Sequence, residues 1–350
     1  MHPIQIGHKT IGPRQPTFII AEIGINHNGD PETALQMVEE AARCGADAVK
    51  FQTFQADKLL SKDTAKAKYV EASTGEEESF YDMFKRLELS EKTYEEIAQL
   101  CRSLGLIFLS TPFDYDSMNL LVDLGVPAFK VASGDLTNLP FLKALAFKKL
   151  PLLVSTGMST LGEVEEAVIT IENFGDRSKL ILLHCTSNYP PSIEDINLRA
   201  MVTMENAFRV PVGYSDHTRG ITTAIAAVTL GACVLEKHFT LDKSMPGPDQ
   251  ALSSDPAEMT ALVEAMRGVE KALGSPIKAP VEAEIEIRQI GRRSVVAARP
   301  ILKGTKITPE MVTVKRPGSG IAPKDTDLVI GRYAKVDLDD DEVITWDKIG

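Results

Sequence analysis

Eight short runs of almost continuously apolar residues recur between residues 18 and 240, and a segment with the spacing of an amphipathic helix follows each of them. Apolar runs without polar alternation are typical of strands buried on both faces, as in parallel sheets covered by helices. Eight strands alternating with eight helices predict an α/β fold, a (β/α)8 TIM barrel, with a doubly wound open sheet as the alternative. The runs lie at 18–24, 48–52, 106–113, 128–133, 152–157, 179–185, 210–216 and 233–240.

Residues of the kinds that start and stop helices lie between these runs. Ser90 precedes one helical pattern and Gly105 closes it, as an N-cap and a C′ glycine do. Asp255 and Pro256 open the last helical pattern as N-cap and first helical residue, and that pattern ends at Gly274. We therefore assign residues 1–274 to the barrel domain.

The segment 53–89 is too long for a plain connection between a strand and a helix. It is polar overall, yet it carries aromatic residues, so we expect it to form a lid or an excursion of the functional site. Those aromatic residues include Tyr69, Phe80, Tyr81 and Phe84.

The pattern changes after Gly274. Residues 275–290 contain prolines and many charges and are predicted to be a linker. Residues 291–350 show short β-prone runs broken by glycine and aspartate turns, and they predict a small β-rich domain. About sixty residues form a marginal core, so we expect this domain to dock against a barrel. The runs lie at 294–298, 306–314, 333–338 and 343–346.

The formal net charge of −11, from 38 basic and 49 acidic residues, argues against nucleic acid and anionic membranes as main partners. It leaves room for small anionic substrates if lysines are gathered in one place. No apolar run approaches the roughly 18 residues of a membrane span, and the first residues lack the pattern of a secretory signal. The four cysteines form no CxxC pair, which predicts free thiols and a cytoplasmic location.

Polar residues recur at the carboxyl ends of the predicted strands, where barrel enzymes place their chemistry. Burying such side chains is costly, so their concentration at one end needs a cause. Lys50 and Lys130, together with hydroxyls from other strands, predict a site for phosphate and carboxylate groups. A buried structural network is the alternative. The strand-end set includes Glu22, Lys50, Gln52, Thr111, Lys130, Ser133, Ser155, Ser215, His217, Glu236, Lys237 and His238.

His217 and His238 end neighbouring predicted strands, within reach of one ion. Two imidazoles that leave room for water or substrate oxygens suit a catalytic divalent metal, rather than a closed structural site. The alternative is a pair of hydrogen-bonded core histidines, and spacing does not decide between the two. Arg316, beside Pro317 in the second domain, taken alone is a solvated loop charge.

Nine motifs along the barrel, taken together and in order, resemble the sialic acid synthase family of N-acetylneuraminate, legionaminate and pseudaminate synthases. The segment RRSVVAARPILKGTKIT resembles the antifreeze-like SAF domain that ends these enzymes. The resemblance covers nearly the whole chain. The motifs are AEIGINHNGD, VKFQTF, FLSTPFD, FKVASGD, LLVSTGMS, LLHCTSNYP, YSDHTRG, EKHFTLD and GPDQALSSDP.

The resemblance implies an enzyme that condenses phosphoenolpyruvate with N-acetylmannosamine or a 2,4-diacetamido-trideoxy hexose. The products are a nonulosonic acid and phosphate, formed through a metal-activated aldehyde and a tetrahedral intermediate. Two departures bear on the choice of sugar: Asp135 stands where glutamate is common, and Gln250 stands where histidine is common.

The resemblance also implies roles for individual residues. His217 and His238 would bind a divalent metal, with Mn²⁺ expected and Mg²⁺ or Co²⁺ as alternatives, and Glu22 would lie at the reacting carbons. The family forms domain-swapped homodimers, so Arg316 would reach a neighbouring subunit's barrel. The implied phosphoenolpyruvate ligands are Lys50, Thr111, Lys130, Ser133, Ser155, Ser187, Asn188 and Ser215. The implied sugar ligands are Gln52, Asp135, Tyr189, Asp249 and Arg316.

Two other functions remain open at this point. A small-molecule sensor on a barrel scaffold would need the lysines but not the two histidines. A 3-deoxy sugar-acid synthase that uses a phosphosugar would need a second cluster of Arg or Lys, which the predicted strand ends do not supply.

Overall fold

The computed structural model describes residues 2–66, 70–71 and 78–350. It divides into two units, one ending at Gly274 and the other running from Ser275 to Gly350. Tyr69, one of the aromatic residues predicted to belong to a lid, lies outside the described residues.

Eight parallel strands form the sheet of the first unit: β3 (Phe18–Gly24), β4 (Ala48–Thr53), β5 (Ile107–Pro112), β6 (Phe129–Val131), β7 (Leu152–Ser155), β8 (Leu180–His184), β9 (Val212–Asp216) and β10 (Val234–His238). Their order across the sheet is β5-β4-β3-β10-β9-β8-β7-β6. The two strands at the ends of this order, β5 and β6, also lie side by side, so the sheet is nearly closed. The predicted (β/α)8 barrel is therefore confirmed. A hairpin of β1 (Ile4–Ile6) and β2 (Lys9–Ile11) precedes these strands in the chain.

Helices follow the strands and cover the outside of the barrel. Asp255 and Glu258 form a capping box at the start of the last barrel helix, and Gly105 ends an earlier helix with a φ of 72°. The helices are α1 (Pro31–Arg43), α2 (Ala56–Leu59), α3 (Phe80–Leu87), α4 (Glu91–Leu104), α5 (Tyr115–Asp123), α6 (Leu139–Phe147), α7 (Leu161–Phe174), α8 (Arg199–Phe208), α9 (Thr222–Thr229) and α10 (Pro256–Leu273).

Two apolar clusters stabilise the barrel. The larger one lies between the strands and the helices, because alternate strand residues point outward. The smaller one fills the amino-terminal half of the barrel interior, and Ile4, Ile6 and Ile11 of the hairpin β1–β2 belong to it. Within the described ranges, no helix has the length and hydropathy required to cross a membrane.

The excursion between β4 and α4 has a small apolar core of its own. Phe54 packs against Phe84 with ring centroids 5.0 Å apart, and Phe80 packs against Phe84 at 4.9 Å. Ile25, from the loop after β3, and Met83 are buried in the same cluster. This packing anchors α3 beside the carboxyl end of the barrel.

The second unit is built around one short antiparallel pair. It contains α11 (Ile285–Gly291), β11 (Ser294–Ala297), β12 (Val312–Lys315) and α12 (Thr326–Val329). The prediction of strands at 333–338 and 343–346 is wrong, because these runs make only isolated bridges such as Ala334 with Ile349. The chain turns too often there for ladders to form. The segment predicted to be a linker includes most of α11.

Candidate active site

One cavity of about 410 Å³ at the carboxyl ends of the barrel strands collects most of the predicted site residues. All of its lining residues belong to the first unit. Apolar side chains of the excursion, among them Phe80 and Phe84, form part of its wall. The predicted residues that line it are Glu22, Lys50, Gln52, Thr111, Lys130, Ser133, Ser155, Ser187, Tyr189, Ser215, His217, His238 and Asp249.

Three predicted site residues do not line this cavity. Asn188 is exposed, and its side-chain oxygen accepts a hydrogen bond from the backbone N–H of Tyr189 at 3.1 Å. Asp135 is half-buried in a short turn, where it accepts a hydrogen bond from Asn138 at 3.1 Å. Arg316 is exposed in the second unit, directly after β12. Its approach to a neighbouring subunit stays a prediction.

Four buried charges meet inside the cavity. Lys50 Nζ lies 2.6 Å from Glu22 Oε2 and 3.8 Å from Glu236 Oε2. Lys130 Nζ lies 3.9 Å from Glu236 Oε1 and donates a hydrogen bond to Ser155 Oγ at 2.7 Å. The strand register produces the first pair, because Glu22 of β3 lies beside Lys50 of β4. Two cations facing two carboxylates offset part of the cost of burying each charge.

The two carboxylates have opposite pKa shifts. Burial raises the pKa of Glu22 to about 7, since attraction to Lys50 offsets the loss of water only in part. Burial also acts on Glu236, but attraction to Lys130 and Lys50 and a hydrogen bond from Ser215 outweigh it and lower its pKa to about 2. Of these two carboxyl groups, Glu236 is a fixed anion at neutral pH, whereas Glu22 is able to exchange a proton.

The two lysines also differ in their protonation equilibria. Burial lowers the pKa of Lys130, and Glu236 offsets this only in part. For Lys50, attraction to Glu22 and Glu236 outweighs burial and raises the pKa. Lys50 therefore keeps its proton more strongly than Lys130 does.

Hydroxyl groups and one glycine surround the lysines. Thr111 Oγ1 accepts a hydrogen bond from Lys50 at 3.0 Å. The backbone N–H of Gly157 donates to Ser133 Oγ at 3.0 Å. A Cβ at Gly157 would lie 2.2 Å from Ser187 Oγ and 2.9 Å from Ser133 Oγ, so a larger residue would displace these two hydroxyls. Ammonium and hydroxyl donors in one place are suited to oxygen atoms of phosphate and carboxylate groups.

His217 and His238 face the same cavity, with ring centroids 5.5 Å apart. Nδ1 of His217 lies 2.9 Å from the carbonyl oxygen of Thr186, so this nitrogen carries the proton and Nε2 keeps the lone pair. Nδ1 of His238 is buried and makes no hydrogen bond. Burial lowers the pKa of both imidazoles, which makes them neutral at pH 7 and able to bind a metal ion.

Tyr189 and Asp249 lie beside the histidine pair. The Tyr189 ring packs on His217 with centroids 4.3 Å apart. Asp249 Oδ2 lies 3.9 Å from His238 Nδ1, and burial raises the pKa of Asp249 to about 6 despite attraction to Lys50. Across the described parts of the chain, no group of three or more His, Cys, Asp or Glu side chains could hold a metal ion. The cavity thus offers an open imidazole pair rather than a closed metal site.

Glu236 is the residue that sequence reasoning noted at a strand end but left without a role. It accepts a hydrogen bond from Ser215 Oγ at 2.8 Å, and the two residues are partners in the register of β10 and β9. Its Oε2 is buried without a hydrogen bond. The signal that could have found it is its position two residues before His238, which places both side chains on one face of the strand.

Comparison with known proteins agrees with this geometry. Residues 37–278 match the model of the NeuB family, and residues 292–350 match that of the SAF domain. The chain is 47% identical over 346 residues to N,N'-diacetyllegionaminic acid synthase of Legionella pneumophila, spanning 98% of this chain and 97% of that protein. It is 36% identical over 338 residues to human N-acetylneuraminate-9-phosphate synthase, spanning 96% and 93%.

A solved structure of a sialic acid synthetase is also similar to this chain. The structure of N-acetylneuraminic acid synthetase from Leptospira borgpetersenii matches with a TM-score of 0.73 and 35% identity, over 82% of this chain and 95% of that one. The family model covers most of the barrel, and both sequence relatives align along almost the whole chain. The chain therefore belongs to the NeuB family, the sialic acid synthase family predicted from its motifs, and is a synthase-type enzyme that ends in a SAF domain.

Proposed function

We propose that this enzyme condenses phosphoenolpyruvate with an N-acylated mannose-type aldose, giving a nonulosonic acid and inorganic phosphate. The names of the relatives support a sugar acid as the product. The observation that carries the proposal is the cavity itself, which combines two buried lysines, several hydroxyls and two neutral imidazoles. Neither a sensor nor a purely structural network accounts for all three.

Phosphoenolpyruvate binds at the lysines. Its carboxylate and phosphate are both anionic, and Lys50 and Lys130 are the cations that line the described part of the cavity. Because both ammonium groups are fixed on strands, they need little reorganisation when charge moves during the reaction. The hydroxyls that add donors around them are those of Thr111, Ser133, Ser155, Ser187 and Ser215.

Glu22 handles the proton of the incoming water. Its raised pKa, about 7, lets it take or give a proton at neutral pH. Its distance of 2.6 Å from Lys50, the proposed ligand of the enol phosphate, supports this role. Glu236, which stays ionised, holds the two lysines in place.

His217 and His238 fit the divalent metal that the family implies, with Mn²⁺ as the proposed ion. The fit rests on two neutral imidazoles facing one cavity and on the buried Nδ1 of His238, which makes no hydrogen bond. When bound there, such an ion supplies Lewis acidity toward the aldehyde oxygen of the sugar. Gln52, Tyr189 and Asp249 line the same cavity and contact the sugar hydroxyls.

The bonds change in three steps. The enol carbon C3 attacks the aldehyde carbon, and the electron pair of the C=O bond ends on the aldehyde oxygen, which takes up a proton. Water then adds at C2 and loses a proton, giving a tetrahedral intermediate. Cleavage of the bond between C2 and the phosphate ester oxygen releases phosphate, the C2 hydroxyl gives its proton to the leaving phosphate, and the 2-keto acid remains. The lysines stabilise negative charge on the phosphate and carboxylate throughout.

The test is a phosphate-release assay with phosphoenolpyruvate, Mn²⁺ and a panel of aldoses, with mass detection of the sugar acid. The panel holds N-acetylmannosamine, its 6-phosphate and 2,4-diacetamido-2,4,6-trideoxymannose. We expect phosphate release that depends on an N-acyl sugar and matches sugar acid formed mole for mole. Release with N-acetylmannosamine 6-phosphate alone would show that the aldose must carry a phosphate group, and binding of phosphoenolpyruvate without turnover of any aldose would favour the sensor.

A further inference from the structure

A second charged pair lies directly behind the two histidines, on the other side of the sheet. Asp216 of β9 and Lys237 of β10 are partners in the strand register, and each is only 1% exposed. Neither lines the active-site cavity. Because strand side chains alternate between faces, Asp216 and Lys237 point toward the helix layer, whereas Ser215 and Glu236 point into the barrel.

Both charged groups of this pair make several hydrogen bonds. Lys237 Nζ donates to Asp216 Oδ2 at 3.0 Å and also to the carbonyl oxygen of Thr218. Asp216 Oδ1 accepts from the backbone N–H of Thr218 at 2.9 Å and from its hydroxyl at 2.8 Å. The Tyr214 and Thr223 hydroxyls also donate to this carboxylate, at 3.2 and 3.1 Å.

The contacts fix the backbone on both sides of one histidine and next to the other. Asp216 and Thr218 flank His217. The backbone of Thr218 is held on both sides, because its N–H donates to the Asp216 carboxylate and its carbonyl oxygen accepts from the Lys237 ammonium group. Lys237 directly precedes His238. A buried ion pair adds little net stability compared with apolar side chains of the same volume, so stability alone does not account for it at this place.

We propose that Asp216 and Lys237 are positioning residues that hold His217 and His238 at the separation needed to bind one divalent cation. This inference rests on the proposed function, because it takes the two imidazoles as metal ligands. The pair acts through the backbone of β9 and β10 and contacts neither metal nor substrate. Groups that orient metal ligands from behind typically change metal affinity about 10- to 100-fold when they are replaced.

The experiment measures Mn²⁺ affinity of the full chain without substrates, by electron paramagnetic resonance titration. The central variant is D216N/K237M, which removes both charges and so leaves no uncompensated buried ion. The matched control is D47N at the opposite end of the barrel. Asp47 is also a buried carboxylate that accepts a backbone N–H, from Ile19 at 2.9 Å, and pairs with Arg267 at 2.8 Å.

We expect D216N/K237M to bind Mn²⁺ at least about 10-fold more weakly than the wild type, while D47N binds it as the wild type does. Thermal unfolding of all three proteins shows whether the two variants lose comparable stability. The Co²⁺ visible spectrum of D216N/K237M should also change, since altered ligand geometry changes the ligand field.

Two results would overturn the proposal, and they are distinguishable. If the wild type binds Mn²⁺ and D216N/K237M binds it equally well, the positioning role is wrong and the proposed function stands. If the wild type binds no divalent ion, both the positioning role and the proposed metal site are wrong. Should the double variant fail to fold, T218V, which removes the Thr218 hydroxyl that donates to Asp216 and leaves both buried charges paired, gives the comparison with D47N.

Discussion

The two halves of the barrel interior are separated by a step of two residues along most of the strands. The inward-facing residues of the amino-terminal half are apolar and belong to one buried cluster, whereas their neighbours two positions later line the active-site cavity. The same strands therefore form a stabilising layer and a reactive layer, and the chemistry requires only the second. The pairs are Ile20 and Glu22, Ala48 and Lys50, Leu109 and Thr111, Ala128 and Lys130, Leu153 and Ser155, and Val234 and Glu236.

The largest effect that we expect is the loss of activity when the metal is removed from the reactive layer. Treatment with EDTA should abolish activity, and Mn²⁺ should restore it, because the aldehyde would lose its Lewis acid. H217A should lower kcat on the order of 1,000-fold while leaving phosphoenolpyruvate binding largely intact, since the metal serves the sugar. The measurements are steady-state rates in chelated and reconstituted enzyme. Full turnover in metal-free enzyme would show that the reaction does not need a metal ion bound by the two histidines.

A second prediction asks whether the reactive layer is complete within one chain. If Arg316 enters a partner's cavity, mixing H238A chains with R316A chains should restore activity that neither has alone. At random equal mixing the rate should approach about a quarter of wild type, because about half of the dimers are mixed and each has one complete site of two. Subunit exchange is verified with differently tagged chains. If activity does not recover after verified exchange, Arg316 does not contribute to the partner's cavity.

A smaller effect concerns a histidine that lies outside both layers. His27 is buried, stacks on Phe51 with centroids 6.0 Å apart and accepts a hydrogen bond from the N–H of Gly29 at 3.0 Å. Burial lowers its pKa to about 4. The unfolded chain, with a pKa of about 6.5, binds the proton more tightly, so stability falls as the pH falls from 6.5 toward 4.

The check is the free energy of unfolding of the wild type and H27Q between pH 7 and pH 5. The wild type should lose on the order of 2 kcal/mol more than H27Q by pH 5. Parallel pH dependence in the two proteins would mean that His27 is not held neutral by burial.

The sequence predicted the barrel well because its strands are buried on both faces. The run predicted at 18–24 is a strand with these same limits, and Asp255 and Pro256 open α10 as predicted. Short runs in the second unit were predicted less well. Residues 333–338 look like a strand by composition, yet the chain bends at Lys335 and Val336, and the run forms only isolated bridges on either side of this bend.

The site was predictable in its strand-end residues and less so in its loops. Lys50 and Lys130 line the cavity because strand alternation fixes where they point. Ser187 and Asn188 are adjacent in a loop, and only the structure shows that Ser187 faces the cavity. The role of Glu236 depends on its distance from Lys130, which belongs to a strand more than one hundred residues earlier.

The central claim is that the reactive layer binds phosphoenolpyruvate and the apolar layer beneath it does not. Lys130 and Leu153 are partners in the register of β6 and β7, yet one lines the cavity and the other belongs to the apolar cluster. K130M and L153A therefore test two properties at neighbouring residues. K130M tests the binding of phosphoenolpyruvate, and L153A tests the stability of the fold. L153A should cost about 2–5 kcal/mol of unfolding free energy.

The deciding measurement is the dissociation constant of phosphoenolpyruvate, by calorimetry, at a temperature where the wild type and both variants are folded. K130M should bind about 10- to 100-fold more weakly, because a charge-assisted interaction with the substrate is lost. L153A should bind as the wild type does. Wild-type affinity in K130M, or equal weakening in both variants, would contradict the assignment of phosphoenolpyruvate to this cavity.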